Sequence, residues 1–336
     1  MSDIPSHRNL FHNNSGHLLT TPEMKYRFMV EQRGAHSVGK MAKVLEVSRS
    51  GYHAWLGRAA SPRQVAEEEL TEEIRAIQKQ AKRRYGSPRV AATLRRAGRR
   101  VGHNRVARIM RKNDLQARPK RRFRVTTKAS ASLPVADNVL GRNFGVARVN
   151  TVWVSDITYI ATTEGWLYLA VVLDLCSRRV VGWSMSSRLS TDLVLRAFWM
   201  AVLTRRPAKG LVFHSDRGSQ YASHAFRGAL RHAGAIQSMS RKGDCWDNAP
   251  SESFFKTLKI ELMEGGKAFR SRQHAKAAIF EYVEVFYNRQ RLHSSLGNLA
   301  PVEFEEAASG GSPSTTYPEK MRLRPATKVV CEASTA

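Results

Sequence analysis

The spacing of apolar residues at the front of the chain is helical. Within residues 24–56, Met41, Val44 and Leu45 recur at intervals that place them on one face of a helix. Ser48 can then cap a second helix over about Arg49–Leu56. Two short helices joined by a tight turn are typical of a helix-turn-helix, whose second helix enters a DNA major groove. The pattern therefore predicts a helix-turn-helix over residues 24–60.

The next segment, residues 61–128, also has helical periodicity. A helix is predicted over 67–82, opened by three glutamates that suit the positive end of a helix dipole. A helix pair is predicted over 87–97 and 103–112, with the apolar residues inward and the arginines outward. Residues 129–145 are rich in turn-forming residues and predict a linker. The front of the chain is thus an all-α region.

The periodicity changes to that of strands after about residue 145. Residues 151–161 alternate and are β-branched, whereas residues 166–177 are almost all apolar, as in a strand buried on both faces. The later segments predict, in order, a strand over 178–185, a helix over 191–203, a strand over 210–216, a helix over 223–234, a strand over 235–240 and a helix that Asn248 can cap. This order predicts a mixed α/β domain over 146–305. Residues 1–23 and 306–336 predict disordered tails.

Charge changes this picture from a helical region to a candidate nucleic-acid-binding region. The 336 residues contain 55 Lys and Arg against 28 Asp and Glu, a net charge of +27. Between Arg75 and Lys128 there are 20 basic residues and one acid, which is 20 − 1 = +19 of that total. A solvated helix face is the ordinary explanation for a charge run, but a field of one sign this dense is typical of a surface that binds phosphates. The side chains expected to contact DNA in the front half are Arg49, Arg95, Arg96, Arg99, Arg100, Arg105, Arg108, Lys120, Arg121 and Arg122.

Composition also excludes several classes of protein. No run of 18 apolar residues is present, which excludes a transmembrane helix. The first twenty residues lack the basic and apolar regions of a secretory signal. The three cysteines, Cys176, Cys245 and Cys331, have neither a disulfide-framework nor a zinc-site spacing. We therefore expect a reduced, cytoplasmic protein, with no membrane partner.

Three carboxylates in the α/β domain are candidates for a metal centre. Asp156 lies in mid-strand, where a charge is costly unless it is paired, and Asp216 follows a buried strand. Glu252 starts a helix, and Lys256 and Lys259 lie four and seven residues beyond it, on the same face. Carboxylate oxygens without a Cys or His cluster favour Mg²⁺ or Mn²⁺.

Each of these carboxylates also has an ordinary structural role open to it. A strand Asp is usually an edge or turn residue, and a Glu near a helix start is usually a dipole partner. Asp174, Asp244 and Asp247 compete for the same roles, and spacing alone does not choose among them.

Four sequence blocks resemble a known family at these positions. They are WVSDITYI at 153–160, HSDRGSQY at 214–221, DNAPSESFFKTLK at 247–259 and YNRQRLHSSLG at 287–297. The chain resembles transposases with an integrase-like DDE core, most closely the second reading-frame (OrfB) product of insertion sequence family three. Asp216 and Glu252 have 35 residues between them, the separation this family uses, and Lys259 stands where the family keeps a basic residue.

The resemblance implies an RNase H-like integrase core, a mixed five-stranded sheet with flanking helices. It implies that Asp156, Asp216 and Glu252 bind two Mg²⁺ or Mn²⁺ ions, with Lys256 and Lys259 beside the DNA. The expected activity is cleavage at the 3′ ends of an insertion sequence, followed by strand transfer. Expected partners are terminal inverted repeats, target DNA, further copies of the chain on paired ends and an upstream-frame (OrfA) protein, in the bacterial cytoplasm at the nucleoid. A non-catalytic DNA-binding regulator and another RNase H-like nuclease are the alternatives.

Overall fold

A computed structural model describes residues 21–59, 61–117, 135–241, 244–263 and 267–310. The chain forms two compact units, of which the first ends at Glu72 and the second begins at Glu73. Lys120, Arg121 and Arg122, all predicted to contact DNA, lie outside the described residues.

The first unit contains three short helices. They are α1 (Pro22–Gln32), α2 (Val38–Val44) and α3 (Arg49–Leu56). Met29, Leu45 and Tyr52 are buried among them and form the centre of a small apolar core. The Ser48 hydroxyl accepts a hydrogen bond from the Gly51 amide at 3.3 Å, so the predicted cap of α3 is confirmed. α2 and α3 are the two helices that the sequence predicted as a helix-turn-helix.

Helix α4 (Pro62–Gln80) starts earlier than the sequence predicted. Ser61 and Gln64 cap each other: the Gln64 amide donates to the Ser61 hydroxyl at 3.3 Å, and the Ser61 amide donates to the Gln64 side chain at 2.8 Å. Pro62 follows the cap, where its fixed φ suits a first helical turn. The predicted start at residue 67 is therefore wrong, and the three glutamates lie beyond the first turn.

Two further helices, α5 (Ser87–Arg96) and α6 (His103–Lys112), open the second unit together with the end of α4. Their inner faces are apolar, as predicted: Val90, Leu94, Val106, Ile109 and Met110 are all buried. The two helices pack against each other through these faces.

The five predicted strands are confirmed and form one sheet. The strands are β1 (Val152–Thr162), β2 (Gly165–Asp174), β3 (Val180–Ser186), β4 (Val212–Ser215) and β5 (Ile236–Met239). β1 to β3 form an antiparallel meander, whereas β4 pairs in parallel with both β1 and β5. The order β3-β2-β1-β4-β5 places β1 at the centre of the sheet.

Helices cover the sheet and extend beyond it. They are α7 (Thr191–Arg205), α8 (Ser219–Ala222), α9 (His224–His232), α10 (Ala249–Leu262), α11 (Arg272–Phe280) and α12 (Pro301–Ala308). Short 3₁₀ segments occupy Cys245–Asn248 and Ser294–Leu296, and a π-helix occupies Glu281–Tyr287. α7 approaches β3 so closely that a Cβ added to Gly182 would stand 2.2 Å from the Ala197 carbonyl oxygen. In the described residues, no helix combines the length and the apolar character needed to cross a membrane.

Residues 290–292 contact α5 and the residues just before it, within the second unit. The Tyr85 hydroxyl donates to the Gln290 carbonyl at 2.9 Å, and the Arg89 guanidinium donates to the Leu292 carbonyl at 2.8 Å. Behind these contacts lies a buried ion pair between Glu261, at the end of α10, and Arg291. Helix α5 and the helix that carries Glu252 are thus joined, because Arg89 also lies 3.8 Å from Glu261.

Candidate active site

The sheet brings two of the three candidate carboxylates together. β1 and β4 are parallel neighbours, and Val154 pairs with His214. Two residues further along each strand lie Asp156 and Asp216, at the carboxyl end of β4. The charge on Asp216 is the largest electrostatic influence on Asp156 after burial. Asp156 and Asp216 therefore lie together because β1, at the centre of the sheet, pairs with β4.

The two aspartates occupy an environment that disfavours two negative charges. Burial and the neighbouring Asp216 raise the pKa of Asp156 well above its ordinary value. Burial likewise raises the pKa of Asp216. Each carboxylate accepts a backbone hydrogen bond, from Ile157 at 2.8 Å and from Gly218 at 3.0 Å, and these bonds oppose the rise only in part. Such a pair favours a bound proton or a bound cation.

Glu252 lies in the first turn of α10, with an exposed side chain. Its charge also raises the pKa of Asp156, but less than the charge of Asp216 does. Within the described ranges, no group of three or more His, Cys, Asp or Glu side chains is arranged to hold a metal ion. The strand pairing thus brings the two aspartates together, and Glu252 acts on Asp156 from the first turn of α10.

Asn248 positions the start of α10, although not in the way the sequence predicted. Its side chain makes no capping hydrogen bond to the helix. It donates instead to the Ser155 carbonyl at 3.1 Å, and the Ser155 hydroxyl contacts the Tyr221 hydroxyl at 2.8 Å. These bonds fix the helix that carries Glu252 to the strand residue before Asp156. Sequence reasoning missed this role because an Asn before a helix is normally interpreted as its cap.

The two lysines of α10 have different environments. Lys259 is partly buried, and burial lowers its pKa while the charge of Asp156 raises it. It is therefore a counter-charge beside the aspartates. Lys256 is exposed one turn beyond Glu252, where it can contact a polyanion.

The competing carboxylates have structural partners. Asp174 is completely buried and accepts from the amides of Asn150 at 2.6 Å and Ser177 at 2.9 Å, which closes the turn after β2. Asp247 is also completely buried, and its ion pairs with Arg241 and Arg142 hold its pKa well below its ordinary value. Asp244 accepts from the Trp246 amide at 3.1 Å as a cap. These contacts account for their presence without a metal.

Six of the arginines predicted to contact DNA lie on or beside α5 and α6, and all six are exposed. They are Arg95, Arg96, Arg99, Arg100, Arg105 and Arg108. Two of them also bind acids of the same chain: Arg96 pairs with Glu303 of α12 at 2.8 Å, and Arg99 donates to Glu73 of α4 at 2.9 Å. Arg49 is exposed on α3 in the first unit. The ion pairs give Arg96 and Arg99 a structural function that charge counting did not predict.

Comparison with known proteins agrees with this architecture. Two models described as "Integrase core domain" match residues 146–245 and 252–308, and a model described as "HTH-like domain" matches residues 65–123. The fold and these matches define an integrase-type polynucleotidyl transferase preceded by a helical DNA-binding region.

Full-length relatives identify the family. The chain is 44% identical over 266 residues to "Insertion element IS600 uncharacterized 31 kDa protein" of Shigella sonnei, covering 79% of this chain and 97% of that protein. It is 40% identical over 284 residues to "Transposase InsF for insertion sequence IS3A" of Escherichia coli (strain K12), covering 84% of this chain and 98% of that protein. The chain belongs to the transposases of the IS3 family of insertion sequences, which confirms the resemblance inferred from its sequence.

The solved structures that match this chain do so at lower sequence identity. The simian T-cell lymphotropic virus intasome in complex with PP2A regulatory subunit B56 gamma matches at 13% identity with a TM-score of 0.41, covering 69% of this chain and 72% of that one. The HTLV-2 integrase catalytic core domain in complex with magnesium matches at 16% identity with a TM-score of 0.33, covering 44% of this chain and 91% of that one.

Proposed function

We propose that this transposase cuts the 3′ ends of its insertion sequence and joins them to new DNA at a centre formed by Asp156, Asp216 and Glu252. The observation that carries the proposal is the pair of adjacent, half-buried aspartates, in which the charge of Asp216 raises the pKa of Asp156. Two adjacent carboxylates that are partly removed from water are costly in an isolated protein and suit a divalent cation. Lys259 reduces the cost only in part.

The donor chemistry fits Mg²⁺ or Mn²⁺. Asp156 and Asp216 provide hard oxygen ligands from two neighbouring strands, and Glu252 would complete the set from the exposed face of α10. When bound, two such ions stabilise the attacking and leaving oxygens of a phosphoryl transfer. The remaining functions belong to the protein: Asn248 holds α10 against β1, and Lys256 and Lys259 attract the DNA backbone.

The proposed partners follow from this reaction. The substrates are the terminal inverted repeats and a target duplex, held by the helix-turn-helix of the first unit and by the basic helices α5 and α6. Joining two ends requires more than one copy of the chain on paired DNA ends, and an upstream-frame (OrfA) protein is the expected additional partner. Such a protein acts at the bacterial nucleoid.

A cleavage assay tests the catalytic assignment. The full chain is incubated with Mg²⁺ and end-labelled DNA carrying the terminal repeats of its own insertion sequence, with and without the upstream-frame protein. Asp156→Asn, Asp216→Asn and Glu252→Gln are each expected to abolish 3′ cleavage, whereas binding of the same DNA is retained.

Asp192→Asn is the matched control, because Asp192 is an exposed carboxylate that pairs with Arg196 on α7. It is expected to cleave at the wild-type rate. Normal cleavage by any of the three site variants would overturn the assignment. Equal cleavage of repeat and scrambled duplexes would instead favour a general RNase H-like nuclease.

A further inference from the structure

A cavity lies beside α10 within the second unit. Its volume is about 390 Å³, and its lining includes Arg89, Arg178, Arg291, His293 and the α10 residues Pro250 and Ser253. Ser253 directly follows Glu252, so the cavity borders the helix face next to the one that carries the candidate catalytic carboxylate. None of the functions described so far uses this cavity.

Positive charge dominates the walls of this cavity. Arg89, Arg178 and Arg291 all line it, and Glu261 lies 2.8 Å from Arg291 and 3.8 Å from Arg89. No ion pair of Arg178 is found among the described residues. Burial and the charge of Arg291 lower the pKa of Arg89, as expected where two guanidinium groups are only partly neutralised. The first turn of α10 adds the partial positive charge of a helix N-terminus.

His293 provides an independent sign that this cavity takes a ligand. Its side chain is 7% exposed, and its Nε2 atom is buried with no hydrogen-bond partner in the described part of the chain. The ring packs edge to face against the ring of Tyr287, with 4.8 Å between the ring centroids, and this contact gives Nε2 no hydrogen bond. Buried polar atoms are seldom left unsatisfied, and a bound water or ligand is their usual partner when the protein offers none.

We propose that this cavity binds a backbone phosphate of the DNA held by the transposase. Guanidinium groups and hydroxyls such as that of Ser253 are the donors that phosphate oxygens prefer. A water that donates to Nε2 of His293 and to a phosphate oxygen would satisfy both groups. This inference rests on the proposed function in one respect, since the phosphate is assigned to DNA. Free inorganic phosphate has the same chemistry and is the alternative source.

Arg178 provides the sharpest test, because it is half-exposed in the turn between β2 and β3. Binding of a fluorescent duplex of about 20 base pairs, long enough to span two helical turns, is measured against salt concentration in EDTA, where no cleavage occurs. Arg178→Gln is expected to weaken binding about tenfold, as for the loss of one charge-assisted hydrogen bond. It should also reduce the salt slope by about 0.9, the contribution of one phosphate. Arg178→Lys keeps the charge and is expected to keep the slope.

Arg188→Gln is the matched control, since Arg188 is exposed near the end of β3 and does not line the cavity. It is expected to leave the slope unchanged. Equal slopes for wild type and Arg178→Gln, or equal losses in the two Gln variants, would overturn the proposal.

Carbon-13 labelling of the histidine rings identifies the source of the phosphate. The His293 signal, assigned by its loss in His293→Gln, is expected to shift when the duplex is added. A shift with inorganic phosphate but not with the duplex would overturn the assignment to DNA. Because binding is measured without metal, a wild-type chain that cleaves DNA while Arg178→Gln keeps its slope would refute the cavity alone. If Arg178→Gln reduces the salt slope but Asp156→Asn, Asp216→Asn or Glu252→Gln still cleaves DNA normally, the catalytic centre alone is refuted.

Discussion

The buried ion pair between Glu261 and Arg291 is expected to be the strongest single electrostatic support of α10. The side chains of Glu261 and Arg291 are 7% and 6% exposed. The Nε atom of Arg291 donates to one Glu261 oxygen at 2.9 Å, and a terminal nitrogen of Arg291 donates to the other at 2.8 Å. The Tyr282 hydroxyl donates to the same carboxylate at 2.8 Å. Glu261→Gln keeps the shape of the side chain but removes its charge, and so leaves the guanidinium buried without a counter-ion.

Removing one partner of a buried pair costs about 3–5 kcal/mol. The amide introduced by Glu261→Gln would still accept one hydrogen bond, which places the expected loss near the lower end of that range, about 3 kcal/mol. At roughly 2–4 °C per kcal/mol for a unit of this size, thermal unfolding should begin roughly 6–12 °C lower. Glu281→Gln is the matched control, because its pair with Lys82 is about half-exposed, at 51% and 50%. Exposed pairs contribute less than about 1 kcal/mol.

Thermal and urea unfolding of the full chain near neutral pH measure both variants. The double variant Glu261→Gln with Arg291→Met replaces the pair by an uncharged contact and is expected to regain more than half of the loss. If Glu261→Gln and Glu281→Gln unfold at the same midpoint, the buried pair does not stabilise α10 and the reasoning fails.

Three other predictions follow from the described contacts. Gly182→Ala should destabilise the fold by about 3 kcal/mol or more in a urea titration, because its Cβ would overlap the Ala197 carbonyl. Gly228→Ala is the control: its Cβ would have a nearest neighbour at 4.0 Å inside α9, so the change should be neutral or stabilising by about 0.5–1 kcal/mol. Burial lowers the pKa of His214 to about 4, so its neutral form contributes stability that is complete above about pH 6.5 and is lost as the pH falls towards 4. Between about pH 6.5 and pH 5 the wild type should lose about 2 kcal/mol of unfolding free energy relative to His214→Gln, and parallel pH curves would contradict this. Addition of EDTA should stop cleavage of terminal-repeat DNA without reducing its binding, and Mg²⁺ or Mn²⁺ should restore cleavage; cleavage that persists in EDTA would contradict the proposed centre.

Much of the fold could be predicted because its elements are encoded locally. The alternation over 151–161 and the apolar run over 166–177 became β1 and β2, since a strand's burial pattern repeats every two residues. The start of α4 was missed although Ser61 and Gln64 carried a capping signal, because the glutamates further on gave a competing one. Local signals therefore located the elements well and their ends less well.

The four blocks and their spacing were enough to name the family, because such blocks do not occur in that order and at that separation by chance. Only the tertiary structure decided which carboxylates lie together: Asp156 meets Asp216 because β1 pairs with β4, whereas Asp247 is neutralised by Arg142, which lies 105 residues away in the chain. The same holds for Asn248, whose partner is a strand carbonyl and not its own helix. Periodicity along a chain records which face of an element is buried. The partner of a buried charge or amide is set by long-range packing, and no local pattern contains it.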